Sequence, residues 1–132
     1  MTEERTRAEA LQKGNAFALH NHMELEHADA ETVVIRMEIR EESKNPLGIV
    51  HGGAMYTMAD SAAGFAANLG EGRFVTQTGG LHYLANCREG VLRATARVTH
   101  RGRKSCLIKV DITDGSGRLM ASGDFSFFRT EG

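Results

Sequence analysis

Residues 45–69 read NPLGIVHGGAMYTMADSAAGFAANL, and the architecture of this protein follows from them. From Gly52 to Leu69 the segment is rich in alanine and apolar on almost every side, which predicts a buried helix. Small side chains allow neighbouring elements to approach a helix closely. We therefore expect one long helix that the rest of the chain wraps.

The residues on both sides of this helix alternate as β-strands do. Before it, Val33, Ile35, Met37 and Ile39 share one face of a predicted strand. After it come four further strand-like runs, over residues 74–84, 91–100, 104–113 and 118–129. Short glycine-bearing turns separate the last three runs, so these strands should join as antiparallel hairpins. One helix followed by a strand meander predicts an α+β fold.

The N-terminus and the chain length complete this outline. Residues 3–12 are good helix formers with few apolar positions, which predicts a short solvated helix within an N-terminal helical segment, 1–20. A chain of 132 residues is the size of one domain, and no linker divides it. We therefore expect a single domain, 1–132.

Composition excludes several classes of function. A formal net charge of −1 argues against a nucleic-acid binder, and no stretch approaches the roughly 20 apolar residues that a membrane span requires. We expect a cytoplasmic protein with no nucleic-acid or membrane partner. Two isolated cysteines and six scattered histidines give no metal-ligand spacing, so no metal and no cofactor are expected.

One charged residue interrupts the predicted helix. Asp60 lies in its middle, where it cannot cap the helix, and shares a face with Tyr56, Thr57 and Gly64. Burying a carboxylate costs several kcal/mol unless it is compensated, so a buried Asp60 would need a function. The alternative is that this polar stripe faces solvent, as most lone acids on helices do.

The helix start favours the functional interpretation. His51, Gly52 and Gly53 place glycine at a helix N-terminus, where unpaired N–H groups and the positive end of the dipole can bind an oxyanion. The motif is weak alone, because glycines before helices are common. Asn45, six residues before His51, and Asp60, nine residues after it, make the pattern specific.

With these residues in place, the sequence resembles the hotdog-fold acyl-CoA thioesterases of the phenylacetate-pathway type. The resemblance extends from about residue 31 to the C-terminus. The matching segments are Asn45, His51-Gly52-Gly53, Met58-Ala59-Asp60, Thr76, Leu81-His-Tyr-Leu84 and Arg101-Gly-Arg-Lys104. It implies a hotdog fold, in which a curved antiparallel sheet wraps one long central helix.

The resemblance also implies a role for each matching residue. The Gly52 N–H polarises the thioester carbonyl, Asn45 and His51 position substrate or water, and Asp60 is the base or the nucleophile. Thr76 holds the attacking water, with Thr78 as a competing candidate. We also expect the neighbouring Gly53 to contact the substrate.

A cluster of cations fits the coenzyme A half of such a substrate. Residues 90–110 hold six Lys and Arg side chains and no acid. Outward Arg93, Arg97 and Lys109 are typical of a solvated strand face. Arg101, Arg103 and Lys104 lie where the family places cations for the phosphates of coenzyme A, with which guanidinium groups pair well.

The chemistry of thioesters agrees with this interpretation. A thioester carbonyl is electrophilic and its thiolate leaves readily, so an oxyanion donor and a carboxylate are sufficient. The predicted substrate is an acyl-CoA with a small, medium-chain or aromatic acyl group. Two alternatives remain open: an acyl-CoA-binding protein without activity, which would have no use for Asp60, and a hotdog hydratase or dehydratase, which would pair an acid with a differently spaced His.

Helix geometry predicts an assembly. Gly52 and Asp60 are separated by roughly 12 Å along the axis at about 1.5 Å per residue, too far to flank one thioester carbon. Members of the family are dimers or dimers of dimers. We therefore expect a homodimer, or a dimer of dimers, in which Asn45, His51 and Gly52 of one chain face Asp60 and Thr76 of the other.

Overall fold

The computed structural model describes residues 2–130, in which a six-stranded antiparallel sheet packs on one long helix. In chain order the elements are α1 (Glu3–Gly14), α2 (Ala16–His20), β1 (Met23–Ala28), β2 (Thr32–Glu38), α3 (Gly52–Ala67), β3 (Arg73–Tyr83), β4 (Val91–Arg101), β5 (Ser105–Thr113) and β6 (Leu119–Thr130). The α+β architecture expected from the sequence is confirmed, and α3 is the predicted central helix.

The alanine-rich face of α3 forms the centre of the core. Its buried side packs mainly against β2, β4 and β5. The inward residues of β2, Val33, Ile35 and Met37, are fully buried, as the alternation predicts. The opposite face of α3 is only half-buried, so the helix is not enclosed on all sides by its own chain.

The strand order corrects one expectation. The sheet runs β1-β2-β4-β5-β6-β3, so β4, β5 and β6 form the predicted hairpins, but β3 lies beside β6 at the far edge. The segment 84–90 carries the chain from this edge to the middle of the sheet. Alternation shows which face of a strand is buried and does not identify its neighbour.

Two elements were missing from the sequence-based outline. Strand β1 reads MELEHA and alternates too weakly to be recognised, and it pairs with β2 at the other edge of the sheet. Helix α2 has five residues, begins at Asn15 as its N-cap and carries one buried residue, Ala18. Helices α1 and α2 both pack beside β1.

Strands β3 and β6 lie so close at one point that only glycine fits. A Cβ atom added to Gly123 of β6 would collide with the carbonyl group of Gly80 on β3. We expect Gly123→Ala to lower the free energy of unfolding by at least about 2 kcal/mol, because two backbones would have to separate. Chemical denaturation measures this effect.

Gly115 provides the control. It lies in the turn between β5 and β6, and nothing lies within 4 Å of an added Cβ. Gly115→Ala should change the stability by less than about 0.5 kcal/mol. Equal effects of the two substitutions would contradict the close approach of β3 and β6.

Candidate active site

Asp60 is held by a threonine of the neighbouring strand. The hydroxyl of Thr76 on β3 donates a hydrogen bond of 2.8 Å to Oδ1 of Asp60 on α3. Asp60 is half-buried, so in the single chain it is neither enclosed nor fully solvated. The carboxylate therefore lies between the two alternatives that the sequence left open, and the polar stripe of α3 lines an open groove.

A β-bulge separates Thr76 from Thr78. The pairing with β6 shifts between these two residues, so Thr76 lies opposite Phe127 and Thr78 opposite Ser126. A bulge re-aims the side chains that follow it. Thr78 accordingly shares a hydrogen bond of 2.6 Å with Ser126, and Thr76 is the threonine that reaches Asp60.

The side chain of Asn68 fixes the beginning of β3 against α3. Its Nδ2 donates to the carbonyls of Gly64, at 2.8 Å, and Phe74, at 2.9 Å. Its Oδ1 accepts from the N–H of Phe74 at 2.9 Å. Thr76 follows two residues later, so this bridge sets its position relative to Asp60.

Asp60 and Thr76 lie in a cavity of about 500 Å³ beside the half-buried face of α3. Five elements contribute apolar walls to it: Leu11, Phe17, Phe65, Phe74 and Phe127. Tyr56 also lines it and packs against Phe125, with ring centroids 5.3 Å apart. The carboxylate thus faces a space suited to an apolar or aromatic group.

The start of α3 leaves one backbone donor free. The ring of His51 caps the helix, and its Nδ1 accepts a hydrogen bond of 2.8 Å from the N–H of Gly53. The N–H of Ala54 donates to the carbonyl of His51. Within residues 2–130 the N–H of Gly52 donates to no acceptor, so this group is available to a ligand.

This arrangement has two consequences. The N–H of Gly53 is already engaged, so the expected contact between substrate and Gly53 cannot use that donor. Because Nδ1 of His51 accepts a hydrogen bond, a neutral His51 ring carries its proton on Nε2. His51 is exposed, and its Nε2–H is therefore a second donor next to Gly52.

Asn45 organises the loop that precedes α3. Its Oδ1 accepts from the N–H groups of Leu47, at 2.9 Å, and Ile49, at 3.4 Å. The amide oxygen of Asn45 is therefore engaged within the loop, and its amide nitrogen is the group that can donate a hydrogen bond to a ligand. Asn45 and Gly52 line a second cavity, of about 260 Å³.

Tyr83 belongs to this second cavity, and sequence reasoning gave it no role. Its hydroxyl donates a hydrogen bond of 2.9 Å to the carbonyl of Gly52, and a Cβ added to Gly52 would lie 3.4 Å from its ring. Burial, with a smaller contribution from Tyr56, raises the pKa of Tyr83. Tyr83 thus remains a protonated donor and fixes the first peptide group of α3.

The two halves of the predicted site do not meet within one chain. Asp60 and Thr76 line the larger cavity, whereas Asn45 and Gly52 line the smaller one. The separation expected from helix geometry is therefore present, since Gly52 begins α3 and Asp60 lies in its middle.

Arg101 makes contacts that the sequence did not predict. Its guanidinium donates to the carbonyls of Ala66, at 2.9 Å, and Ala67, at 3.1 Å, and so caps the C-terminal end of α3. Arg7 of α1 donates to the carbonyls of Leu69 and Gly70, just beyond the helix. Cations at a helix C-terminus also interact favourably with the dipole.

The other two predicted cations are exposed. Arg103 and Lys104 lie in the turn between β4 and β5, beyond the C-terminal end of α3. Within residues 2–130 their side chains make no hydrogen bond or ion pair with the protein. The cluster expected from sequence therefore divides into one structural arginine and two solvated cations.

Neither a metal centre nor a membrane span is found in the described part of the chain. No group of three or more His, Cys, Asp or Glu side chains within residues 2–130 could hold a metal ion. No helix there is long and apolar enough to cross a membrane.

Comparison with known proteins gives a consistent result. A family model described as the thioesterase superfamily matches residues 47–121, more than half of the chain. The 1,4-dihydroxy-2-naphthoyl-CoA hydrolase of Escherichia coli is 28% identical over 116 residues, which cover 86% of this chain and 85% of that protein.

Solved structures share the architecture. The PaaI protein from the phenylacetic acid degradation operon of Escherichia coli superposes with a TM-score of 0.93 at 23% identity, covering 98% of this chain and 95% of that one. At this identity the likeness shows the fold alone. A hypothetical thioesterase from Streptococcus pneumoniae, solved with coenzyme A, has a TM-score of 0.83 at 28% identity, and the match covers 90% of this chain and 96% of that one.

The free energy of unfolding distinguishes Arg101, which caps α3, from Arg103, which makes no such contact. Arg101→Ala removes two hydrogen bonds from the end of α3 and should lower the free energy of unfolding by about 1 kcal/mol. Arg103→Ala, two residues away, is the matched control and should change it by less than about 0.5 kcal/mol. Similar losses in chemical denaturation would contradict the capping role of Arg101.

Proposed function

The chain belongs to the thioesterase superfamily, and we propose that it hydrolyses an acyl-CoA to a free acid and coenzyme A. The family match confirms both the thioester hydrolase and the hotdog fold that the sequence led us to expect. The observation that carries the finer proposal is the Asp60–Thr76 pair, which places a carboxylate at the wall of an apolar cavity.

The choice of substrate rests on two relatives and on the cavity. One relative is named as a hydrolase of an aromatic acyl-CoA, and one structural neighbour was solved with coenzyme A. The cavity of about 500 Å³ with phenylalanine walls has room for a small, medium-chain or aromatic acyl group. Together these features favour an acyl-CoA over other thioesters.

Asp60 acts as the base or as the nucleophile. The hydroxyl proton of Thr76 occupies Oδ1, which leaves Oδ2 for the reaction. As a base, Asp60 takes a proton from water while the water oxygen bonds to the carbonyl carbon, and the C–S bond then breaks with the electron pair on sulfur. As a nucleophile, Oδ2 bonds to that carbon, the C–S bond breaks and the thiolate of coenzyme A leaves, and water then hydrolyses the resulting anhydride to the free acid and the Asp60 carboxylate. Both routes need Asp60 ionised and oriented by Thr76.

The start of α3 supplies the opposite side of the site. The free N–H of Gly52 donates to the carbonyl oxygen as negative charge develops on it, with support from the helix dipole. The Nε2–H of His51 and the amide nitrogen of Asn45 are the adjacent donors that hold the substrate or the water. Tyr83 positions this peptide without contacting the reacting atoms.

A second copy of the chain brings the two halves together in our proposal. Strand β3 is an 11-residue edge strand whose residues 75–80 are all exposed, and such an edge requires a partner. Two copies of β3 can pair antiparallel about a twofold axis near its glycines, Gly79 and Gly80, which brings Tyr83 toward the partner's Thr76. Gly52, which contacts Tyr83, then faces the partner's Asp60. A dimer of dimers would repeat this unit.

The turn between β4 and β5 contributes to the proposed binding of coenzyme A. Arg103 and Lys104 are free to bind the phosphates of coenzyme A, whereas Arg101 supports α3. The cytoplasmic location expected from the sequence stays a prediction.

Thiol release from a panel of acyl-CoA substrates tests the activity, and Asp60→Asn tests its mechanism. We expect Asp60→Asn to lower kcat at least roughly 100-fold, because it removes the base or nucleophile. The melting temperature should be maintained, since the amide can still accept from Thr76. A folded Asp60→Asn protein with nearly normal turnover would remove Asp60 from the mechanism.

A matched pair of variants, Thr76→Val and Thr78→Val, tests the hydrogen bond between Thr76 and Asp60. Both remove one hydroxyl from β3, but only Thr76 donates to Asp60. Thr76→Val should lower kcat more than Thr78→Val, and equal losses would show that the hydrogen bond to Asp60 is not used.

Mixing two inactive variants tests the shared site. Asn45→Ala and Asp60→Asn damage opposite halves, so a mixed dimer holds one doubly damaged site and one intact site. Random reassociation should restore about a quarter of the unaltered activity, since about half of the dimers are mixed and half of their sites are whole. Mass spectrometry verifies subunit exchange, and a mixture that exchanges yet stays inactive would contradict the shared site.

A further inference from the structure

We propose that Phe17 of α2 determines which acyl groups the enzyme accepts. This inference rests on the proposed function, because it assigns a wall of the cavity next to Asp60 to the acyl half of the substrate. Sequence reasoning gave the N-terminal segment no role, and α2 was not recognised as a separate helix.

Phe17 presents an unusual amount of apolar surface. Its side chain is 67% exposed, although it belongs to a helix that is docked on the protein through the buried Ala18. It lines the same cavity as Asp60 and Thr76. An exposed aromatic ring at the mouth of a cavity that already contains a reactive carboxylate is suited to bind the apolar part of a ligand.

The position of α2 is fixed relative to Asp60. Nδ2 of Asn15, the residue that caps α2, lies 3.4 Å from Oγ of Ser61, the immediate neighbour of Asp60. Oδ1 of Asn15 accepts from the N–H of Ala18 and so ties the same side chain to the first turn of α2. Through Asn15, the ring of Phe17 is held at a defined place along the cavity.

The lining shows which half of the substrate lies here. No Lys, Arg or His side chain lines this cavity, so it offers no positive charge to the phosphates of coenzyme A. The two amides that line it are engaged within the protein, Asn15 with Ser61 and Ala18 and Asn68 with Gly64 and Phe74. With the thioester carbon at Asp60, the acyl group is therefore the half that extends toward Phe17.

Leu19 offers a matched control on the same helix. It is an apolar residue, 45% exposed, and it does not line the cavity. Truncation of either residue removes exposed apolar surface from α2. A general effect on the stability or docking of α2 would therefore appear in both variants, whereas an effect on acyl selection should be confined to Phe17.

The kinetic test compares acyl chains of increasing length. Phe17→Ala should raise kcat/KM for long or bulky acyl-CoA substrates relative to short ones by roughly tenfold, since a pocket discriminates by about that factor per methylene or more. Phe17→Trp should shift the preference in the opposite direction, and Leu19→Ala should leave the ratio unchanged. Equal ratios in Phe17→Ala and Leu19→Ala would overturn the assignment.

A binding test separates this inference from the proposed function. The chain contains no tryptophan, so Phe17→Trp and Leu19→Trp each introduce a unique fluorophore. We expect S-alkyl-CoA thioethers, which cannot be hydrolysed, to change the emission of Phe17→Trp, while free coenzyme A has little effect. The emission of Leu19→Trp should respond to neither ligand.

The outcomes are distinct. An emission change at Phe17→Trp that depends on the alkyl chain, in a protein that hydrolyses no acyl-CoA, would support the acyl wall and overturn the proposed function. Normal hydrolysis with equal responses of the two tryptophans, or with an equal response to free coenzyme A, would overturn the acyl wall alone.

Discussion

The close packing of α3 against the sheet determines where every functional group lies. Ala59, Ala62, Ala63 and Ala66 form the buried side of the helix, and strand β4 meets it with small residues of its own, Ala94 and Ala96. Methyl groups allow a short distance between helix and sheet. Asp60 lies on the opposite, half-buried face, so the rotation of the helix that buries the alanines also directs the carboxylate into the groove.

Three neighbouring elements fix the two ends of this helix. Tyr83 of β3 donates to its first carbonyl, and Asn68, its C-cap residue, joins the last turn to the start of β3. Arg101 of β4 donates to its last carbonyls, and Arg7 of α1 donates to the carbonyls of Leu69 and Gly70, just beyond the helix. Gly52 and Asp60 are separated by roughly 12 Å at about 1.5 Å per residue, so one chain presents the free N–H and the carboxylate in separate cavities.

Sequence reasoning located the main elements but not their neighbours. The central helix and the four strands after it were predicted within two residues at each end, because the helix is a long, alanine-rich apolar run and most of the strands alternate. Strand β1 and helix α2 were missed, since a strand of the sequence MELEHA is mostly polar and a five-residue helix shows no periodicity. Periodicity also did not predict that β3 lies beside β6. A bulge determines that Thr76, and not Thr78, contacts Asp60. Arg101 contacts carbonyls 34 and 35 positions away, and Tyr83 forms a hydrogen bond across 31 positions. Periodicity predicts none of these contacts.

In the proposed mechanism, the separation of Asp60 from Gly52 avoids a competition between helix capping and oxyanion binding. A carboxylate at the helix start would accept hydrogen bonds from the first N–H groups, which are the donors that an oxyanion needs. His51 caps α3 instead, and its ring takes only the N–H of Gly53 and leaves that of Gly52 free. The carboxylate lies more than two turns further along, where it cannot reach those groups within its own chain. Two chains related by a twofold axis can then place a free N–H and a free carboxylate on opposite sides of one carbonyl carbon, with the substrate between them to prevent the two from pairing.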